Sequence, residues 1–183
     1  MATVYEVIDQ KLTAWLAAQP VFFVATAPIA AGGHVNVSPK GMAGTFAVLG
    51  HTRVGYLDYF GSGAETIAHL RENGRIVIMC CAFEGPPKIV RLHGRGRVVL
   101  PGADEFAGLR EHFAKQREHA LRSIIVVDVD RISDSCGYSV PRLDYVCDRD
   151  VLDLHHLKKP AEYYEAYARE KNGSSIDGLP ALD

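Results

Sequence analysis

Short β-branched and aromatic runs separated by hairpin-length turns recur through most of this chain, and they limit its fold more than any other feature. Residues 21–27, Val-Phe-Phe-Val-Ala-Thr-Ala, have the composition of a strand. A small-residue loop over 28–33 leads to a short second strand around 34–38. Two more, 45–49 and 53–58, are joined across Gly50-His51-Thr52, the length of a hairpin connection. Residues 75–82 run Ile-Val-Ile-Met-Cys-Cys without alternation, which predicts burial on both faces. A Glu84-Gly85-Pro86-Pro87 turn precedes a long strand over 88–100, and 122–132 is the last strong one. Some six strands with short hairpins and few helices favour a mainly β fold with flanking α-helices, a six-stranded antiparallel barrel rather than an alternating parallel sheet.

The helices fall around this frame. Residues 4–19 place Val4, Val7, Ile8, Leu12, Trp15 and Leu16 on one stripe, and Pro20 ends it. A helix opening at Gly63 stops at Asn73-Gly74, a left-handed cap signal. Residues 104–119 read as a helix with Phe106, Leu109 and Phe113 inward, and 149–172 as one or two helices broken at Pro160. The last stretch, 173–180, reads as an extended tail. With 183 residues and 48% hydrophobic content there is material for one core. The division expected is therefore a single domain: an N-terminal helix over 1–20, a barrel over 21–132 and a helical extension with its tail over 133–183.

Twenty basic residues against 22 acidic give no overall pull toward nucleic acid or an anionic membrane. No apolar run reaches the ~20 residues of a membrane span, and the first residues lack the pattern of a secretory signal. A cytoplasmic protein is expected. Cys80, Cys81, Cys136 and Cys147 have no zinc-like spacing and read as buried free thiols. His155-His156 reads as a surface pair, and no histidine set completes a metal site, so no metal is expected.

Chemistry concentrates in residues 56–74, where Tyr-Leu-Asp-Tyr-Phe-Gly-Ser-Gly-Ala-Glu-Thr reads as a strand, a Gly-Ser-Gly turn and a helix start. Such a helix start leaves backbone N–H groups and a positive dipole end able to hold a phosphate. Upstream, Asn36-Val37-Ser38-Pro39-Lys40-Gly41 offers a hydroxyl and an ammonium to the same anion. Each half has a plainer explanation. Ser62 and Glu65 have capping-box spacing, which needs no ligand, and Ser38 to Gly41 can be an ordinary turn. The turn lacks G-x-G-x-x-G spacing and a βαβ setting, so it is not a dinucleotide fingerprint.

The strand over 88–98 alternates Arg91, His93, Arg95 and Arg97 on one face with Val90, Leu92, Gly94, Gly96 and Val98 on the other. Four cations in a row need negative charge opposite, from acidic side chains of a neighbouring strand or subunit, or from an anionic ligand. Gly94 and Gly96 mark a bulge or a close backbone approach.

In order and spacing, these segments resemble the pyridoxamine 5'-phosphate oxidase-like family of flavin-binding split-barrel proteins, from about Val21 to Ile132. The resemblance rests on Val-Asn-Val-Ser-Pro-Lys-Gly, the Tyr-Leu-Asp to Ala-Glu-Thr turn, Arg-Ile-Val-Ile-Met and Ile-Val-Arg-Leu-His-Gly-Arg-Gly-Arg-Val. Residues 135–141 and 171–180 look like those of a bacterial branch apart from the true pyridoxamine phosphate oxidases. It implies a split β-barrel, a homodimer and FMN in clefts at the subunit interface. Carried over by motif, Val37, Ser38 and Lys40 lie along one edge of the cofactor. Tyr56, Leu57 and Asp58 line its ring or ribityl chain, Ser62, Gly63 and Thr66 its phosphate, and Arg91 stands nearest the second subunit. The implied activity is a flavin-dependent oxidoreductase acting on a small molecule; the alternative is a non-enzymatic dimer binding flavin, deazaflavin or haem. No catalytic residue is singled out. The resemblance departs where the oxidases carry a phosphate-gripping arginine, since Val35 stands there. Lys40 is then the one cation among the carried-over motifs. The oxidases' C-terminal Arg-Leu-x-Pro segment is also missing, which removes the support for vitamin B6 activity.

Overall fold

The computed structural model describes residues 3–182, and its strands form one antiparallel sheet. They are β1 (Val4–Tyr5), β2 (Phe22–Thr26), β3 (Asn36–Lys40), β4 (Phe46–Gly50), β5 (Arg53–Tyr59), β6 (Arg75–Cys81), β7 (Ile89–Val99) and β8 (Leu121–Ser135). The helices are α1 (Gln10–Ala17), α2 (Glu65–Asn73), α3 (Phe106–Arg110), α4 (Val151–His156) and α5 (Ala161–Lys171). The sheet runs β3-β2-β6-β7-β8-β5-β4, with β1 paired to β8. Its end strands, β3 and β4, share no backbone ladder; side chains bridge the gap instead. The Phe22 and Phe46 rings meet at 5.2 Å, and Lys40 reaches Asp58 across the opening. This is the split of a split barrel.

Among the described residues there are eight strands against the six expected. Val4–Tyr5, expected as the start of the first helix, instead pairs with Ile132 and Ser133. Asp9 caps the helix later, its carboxylate accepting from the Leu12 N–H at 2.7 Å. The helix expected over 104–119 shrinks to five residues. The Arg110 guanidinium donates to the carbonyls of Phe113 and Lys115, folding the chain back so that Phe113 enters the core. The other expected elements form within a few residues of their expected bounds, and α2 ends on Gly74 at φ 71°.

Two cores flank the sheet. The inner one gathers Leu12, Val24, Ile67, Ile78, Leu92 and Ile125 inside the barrel, under α1 and α2. The outer one places Leu57, Phe113, Ile124 and Val126 beneath α3, with Leu152 and Tyr164 of the C-terminal helices against it. Full burial on both faces therefore falls on β5 and β8, not on the 75–81 strand. In β6 only the inner face is fully buried; Val77 and Met79 on the other side remain part-exposed. Gly94 sits at a register shift in the β7–β8 ladder, where a Cβ would come within 2.1 Å of the Asp128 carbonyl. At Gly96 the bare backbone lets Leu70 of α2 close on β7.

Several smaller expectations change. Cys80 and Cys81 are buried, and burial pushes the Cys80 thiol up to about 12, but Cys136 and Cys147 are exposed. His156 is buried, not on the surface. Among the described residues no helix is long and apolar enough to cross a membrane. The end of the chain is not an extended tail. Ser174 bridges to Pro180 around a left-handed Gly178, Ala181 is fully buried, and Leu179 and Leu182 pack on the inner core. Deleting residues 173–183 should therefore cost about 2–5 kcal/mol, the range for emptying a buried leucine site. Urea unfolding checks this: an unchanged midpoint would mean that the docked end contributes nothing.

Candidate functional site

The site forms at the barrel's split. Alternation along β3 turns Asn36, Ser38 and Lys40 toward the opening and Val37 and Pro39 away, Val37 being 62% exposed. Opposite them, β5 ends in the turn that leads to α2. The cleft between holds about 220 Å³ and is lined by Ser38, Lys40, Gly61, Gly63, Thr66 and Arg122, among others.

A buried charge cluster supports it. Asp58 is 3% exposed, and its carboxylate meets Lys40 at 3.4 Å, Arg122 at 2.8 Å and the Ser123 hydroxyl at 3.2 Å. Burial works to raise the Asp58 carboxyl, but the charges of Arg122 and Lys40 outweigh it and hold the group below its ordinary value. Arg122 also donates to the carbonyls of Gly63 at 2.9 Å and Gly61 at 3.4 Å. Asn172, after α5, donates to the Gly61 carbonyl at 2.9 Å from the other side. The turn is thus tied to β8 and to the C-terminal extension.

The capping box does not form. Ala64 is the N-cap of α2, and Ser62 is exposed on the turn. Glu65 takes over the role, its carboxylate accepting from the Ala64 N–H at 3.0 Å and the Ile176 N–H at 3.1 Å. A side-chain anion therefore already occupies part of the helix's N-terminal field.

The structure brings Ser38, Lys40, Gly63 and Thr66 together on one cleft, with Asp58 directly behind Lys40. Tyr56 lies deeper, fully buried; its hydroxyl has no hydrogen bond of ordinary geometry, and burial, reinforced by Asp58, raises it well above its usual value. Leu57, one residue on, points into the outer core on the far side of β5. Arg91 stands away from the cleft and donates to the Ser135 hydroxyl at 3.0 Å. Its neighbours in the basic row find separate partners. Arg95 donates to the Asn73 carbonyl at the end of α2, Arg97 pairs with Glu105, and none of the four lines the cleft.

A family model described as pyridoxamine 5'-phosphate oxidase matches residues 8–136. The pyridoxamine 5'-phosphate oxidase family protein ustO of Aspergillus flavus is 38% identical over 196 residues, covering 100% of this chain and 78% of that one. The chain belongs to the pyridoxamine 5'-phosphate oxidase family. The match to ustO extends the likeness beyond bacteria. In structure, a putative 5-nitroimidazole antibiotic resistance protein of Bacteroides thetaiotaomicron aligns over 73% of this chain and 87% of its own, at TM-score 0.51 and 13% identity. An FMN-binding protein of Syntrophomonas wolfei aligns over 66% of this chain and 79% of its own, at 0.49 and 14%. At such identities the first of these speaks to the fold alone.

Against this family frame, Arg122 is the residue that sequence reasoning missed. Lys40 is not the one cation at the site: Arg122 comes from a strand far along the chain. The signal was a single arginine heading the run Ser-Ile-Ile-Val-Val, which had to be buried; a charge there requires a partner. Asn172 and Glu65 were likewise beyond reach, because their partners are backbone groups on distant segments.

Proposed function

We propose that this protein is a homodimeric flavoprotein that holds FMN at the split-barrel cleft and serves in the oxidation or reduction of a small organic substrate. The gathering of Ser38, Lys40, Thr66 and Arg122 around the start of α2, in a chain of this family, carries the reading. The donor set suits a phosphate monoester: an ammonium, a guanidinium and the Thr66 hydroxyl converge there. Lys40 and Arg122 are offset by Asp58 and Glu65, so helix α2 supplies the remaining attraction, about half a unit of positive charge. Bound FMN would supply hydride or electron transfer. The chain would hold the phosphate with Lys40 and Thr66, and keep the Gly61–Gly63 turn in place through Arg122 and Asn172. Ser62 and Gly63 of that turn would flank the phosphate, and Tyr56 and Asp58 would back the rest of the cofactor.

The homodimer is supported by the outer face of the β3-β2-β6-β7 sheet. Phe23, Ala25, Val37, Val77 and Met79 lie side by side there without full burial, in rows that run on to His93 and Arg91. A second copy on this face would bury more than ~2,000 Å² in total, as obligate dimers do, and would give Val37 and Arg91 their places near a cofactor shared between subunits; Leu57, buried in the outer core, would stay out of reach of it. A monomer by sedimentation at micromolar concentration would remove the dimer.

The absorption spectrum of the purified protein, followed by FMN titration, tests the cofactor. Flavin bands or saturable uptake are expected; a haem or deazaflavin spectrum would replace FMN, and a colourless protein that takes up nothing would overturn the reading. A carrier or sensor of flavin is the second reading. It is favoured by the commitment of both cleft-side carboxylates to structural partners, which leaves no free acid or base. Turnover of the bound flavin by NAD(P)H would decide for the enzyme.

A further inference from the structure

A hydrogen-bonded chain runs from the core to the cleft. His69 of α2 is fully buried, with its Nδ1 at 2.9 Å from the Thr26 hydroxyl. The Asn36 amide donates to that same hydroxyl at 3.1 Å and to the Thr66 hydroxyl at 3.1 Å, while Ser38 donates to the Asn36 amide oxygen at 3.0 Å. His69 Nε2 has no partner. Most buried polar atoms are paired, so an orphan at the head of such a chain calls for a reason.

With the Asn36 amide N–H₂ turned toward both threonines, as the structure has it, counting protons sets the direction of the chain. If His69 carried its proton on Nδ1, the Thr26 hydroxyl hydrogen would be stranded in a buried site and the Nε2 lone pair would be stranded as well. With the proton on Nε2, Thr26 donates to Nδ1 and a single orphan remains. Burial lowers the His69 value and keeps the ring neutral, despite the opposing pull of Glu65, Glu72 and Asp177. With Thr26 donating toward His69, its oxygen can only accept from Asn36, which points the amide N–H₂ at both threonines. Thr66 then accepts from Asn36 and keeps its own hydrogen to donate. The buried Tyr56 hydroxyl beside it lies outside ordinary hydrogen-bond geometry, so that hydrogen leans toward Tyr56 only until a ligand in the cleft offers a better acceptor. Ser38, by contrast, has spent its hydrogen on Asn36.

We infer that His69 is a positioning residue for the cleft: through Thr26 and Asn36 it presents Thr66 as a hydrogen-bond donor, and Ser38 as an acceptor, to the bound ligand. This rests on the reading of the cleft as a phosphate site, where a free donor at Thr66 and not at Ser38 makes the phosphate contact. His69 pays for this with an unsatisfied Nε2–H.

His69→Leu and Thr26→Val each cut the relay with side chains of similar volume. Titrated with FMN, each should bind roughly 3- to 10-fold more weakly, the worth of one ordinary hydrogen bond. The double variant should be no weaker than either single one, since both break the same chain. His69→Asn, which keeps an acceptor near the Nδ1 position, should bind within about 2-fold of the parent protein. Thermal unfolding of His69→Leu should be little changed, because the Nε2–H orphan is exchanged for a stranded Thr26 hydrogen; a merely structural histidine would lose stability and affinity together. Losses that add in the double variant, or no loss in either single one, overturn the inference. Nitrogen NMR of the ligand-free protein reads the tautomer directly: a His69 proton on Nε2 is expected, and one on Nδ1 overturns the relay. Should the parent protein take up no FMN, the cofactor reading falls, and the tautomer still upholds or overturns the relay.

Discussion

Replacing Arg122 with methionine should destabilise the protein by about 3–5 kcal/mol, the cost of leaving a buried charge without its partner. Arg122 is 6% exposed and Asp58 3%. Methionine fills much the same volume, so packing loss is small beside the loss of the carboxylate's closest cation, which leaves it only Lys40 at 3.4 Å and the Ser123 hydroxyl. The effect carries a pH signature. In the parent protein Asp58 is held below its ordinary value, so its contribution is full above about pH 4 and is lost as the pH falls through the lowered value. In Arg122→Met, burial dominates and Asp58 protonates more readily, so the variant's deficit should shrink as the pH is lowered from 7 to 4. Urea unfolding at both values measures it. A deficit independent of pH would mean that Arg122 acts through packing and not through Asp58.

Lys40→Ala should weaken FMN binding by ~1.5–3 kcal/mol, roughly 10- to 150-fold, as expected for the loss of a charged hydrogen bond. The sequence made Lys40 an exposed turn lysine whose removal would leave stability alone. The structure places it at the end of β3, 28% exposed, with its ammonium on Asp58. A stability loss of about 1 kcal/mol is now expected as well, modest because Arg122 and Ser123 still hold the carboxylate. Ser62→Ala provides the contrast. It caps nothing and lies exposed, so unfolding should not move. Fluorescence-quenching titration of FMN into both variants checks this pair. Unchanged affinity in Lys40→Ala would place the phosphate elsewhere or exclude FMN.

The motifs that carried the family likeness were local, and local physics made them readable. Ser38 and Lys40 share a face because strand alternation puts them there, and Gly63 and Thr66 lie within one turn of the same helix start. The strand-turn-helix at 56–74 ends where Asn73-Gly74 said it would, since only glycine adopts that left-handed cap without strain. Misreadings arose where a local signal had a distant competitor. Val4 and Tyr5 fit a helical stripe, yet a free strand edge at Ile132–Ser133 claims them. Ser62 and Glu65 match a capping box, yet Glu65 is drawn to the Ile176 amide brought in by the chain's end.

The sequence by itself determined the class of fold and one side of the cleft, because periodicity, turn chemistry and helix stops are fixed by residues a few positions apart. Tertiary structure alone decided the electrostatics of the site. Asp58, Lys40 and Arg122 come from three different strands, and whether a carboxylate there is charged depends on the desolvation and neighbours that only closure of the barrel creates. It likewise turned the strand at 53–59, and not the apolar run at 75–81, into one buried on both faces, because the C-terminal helices return to cover its outer side.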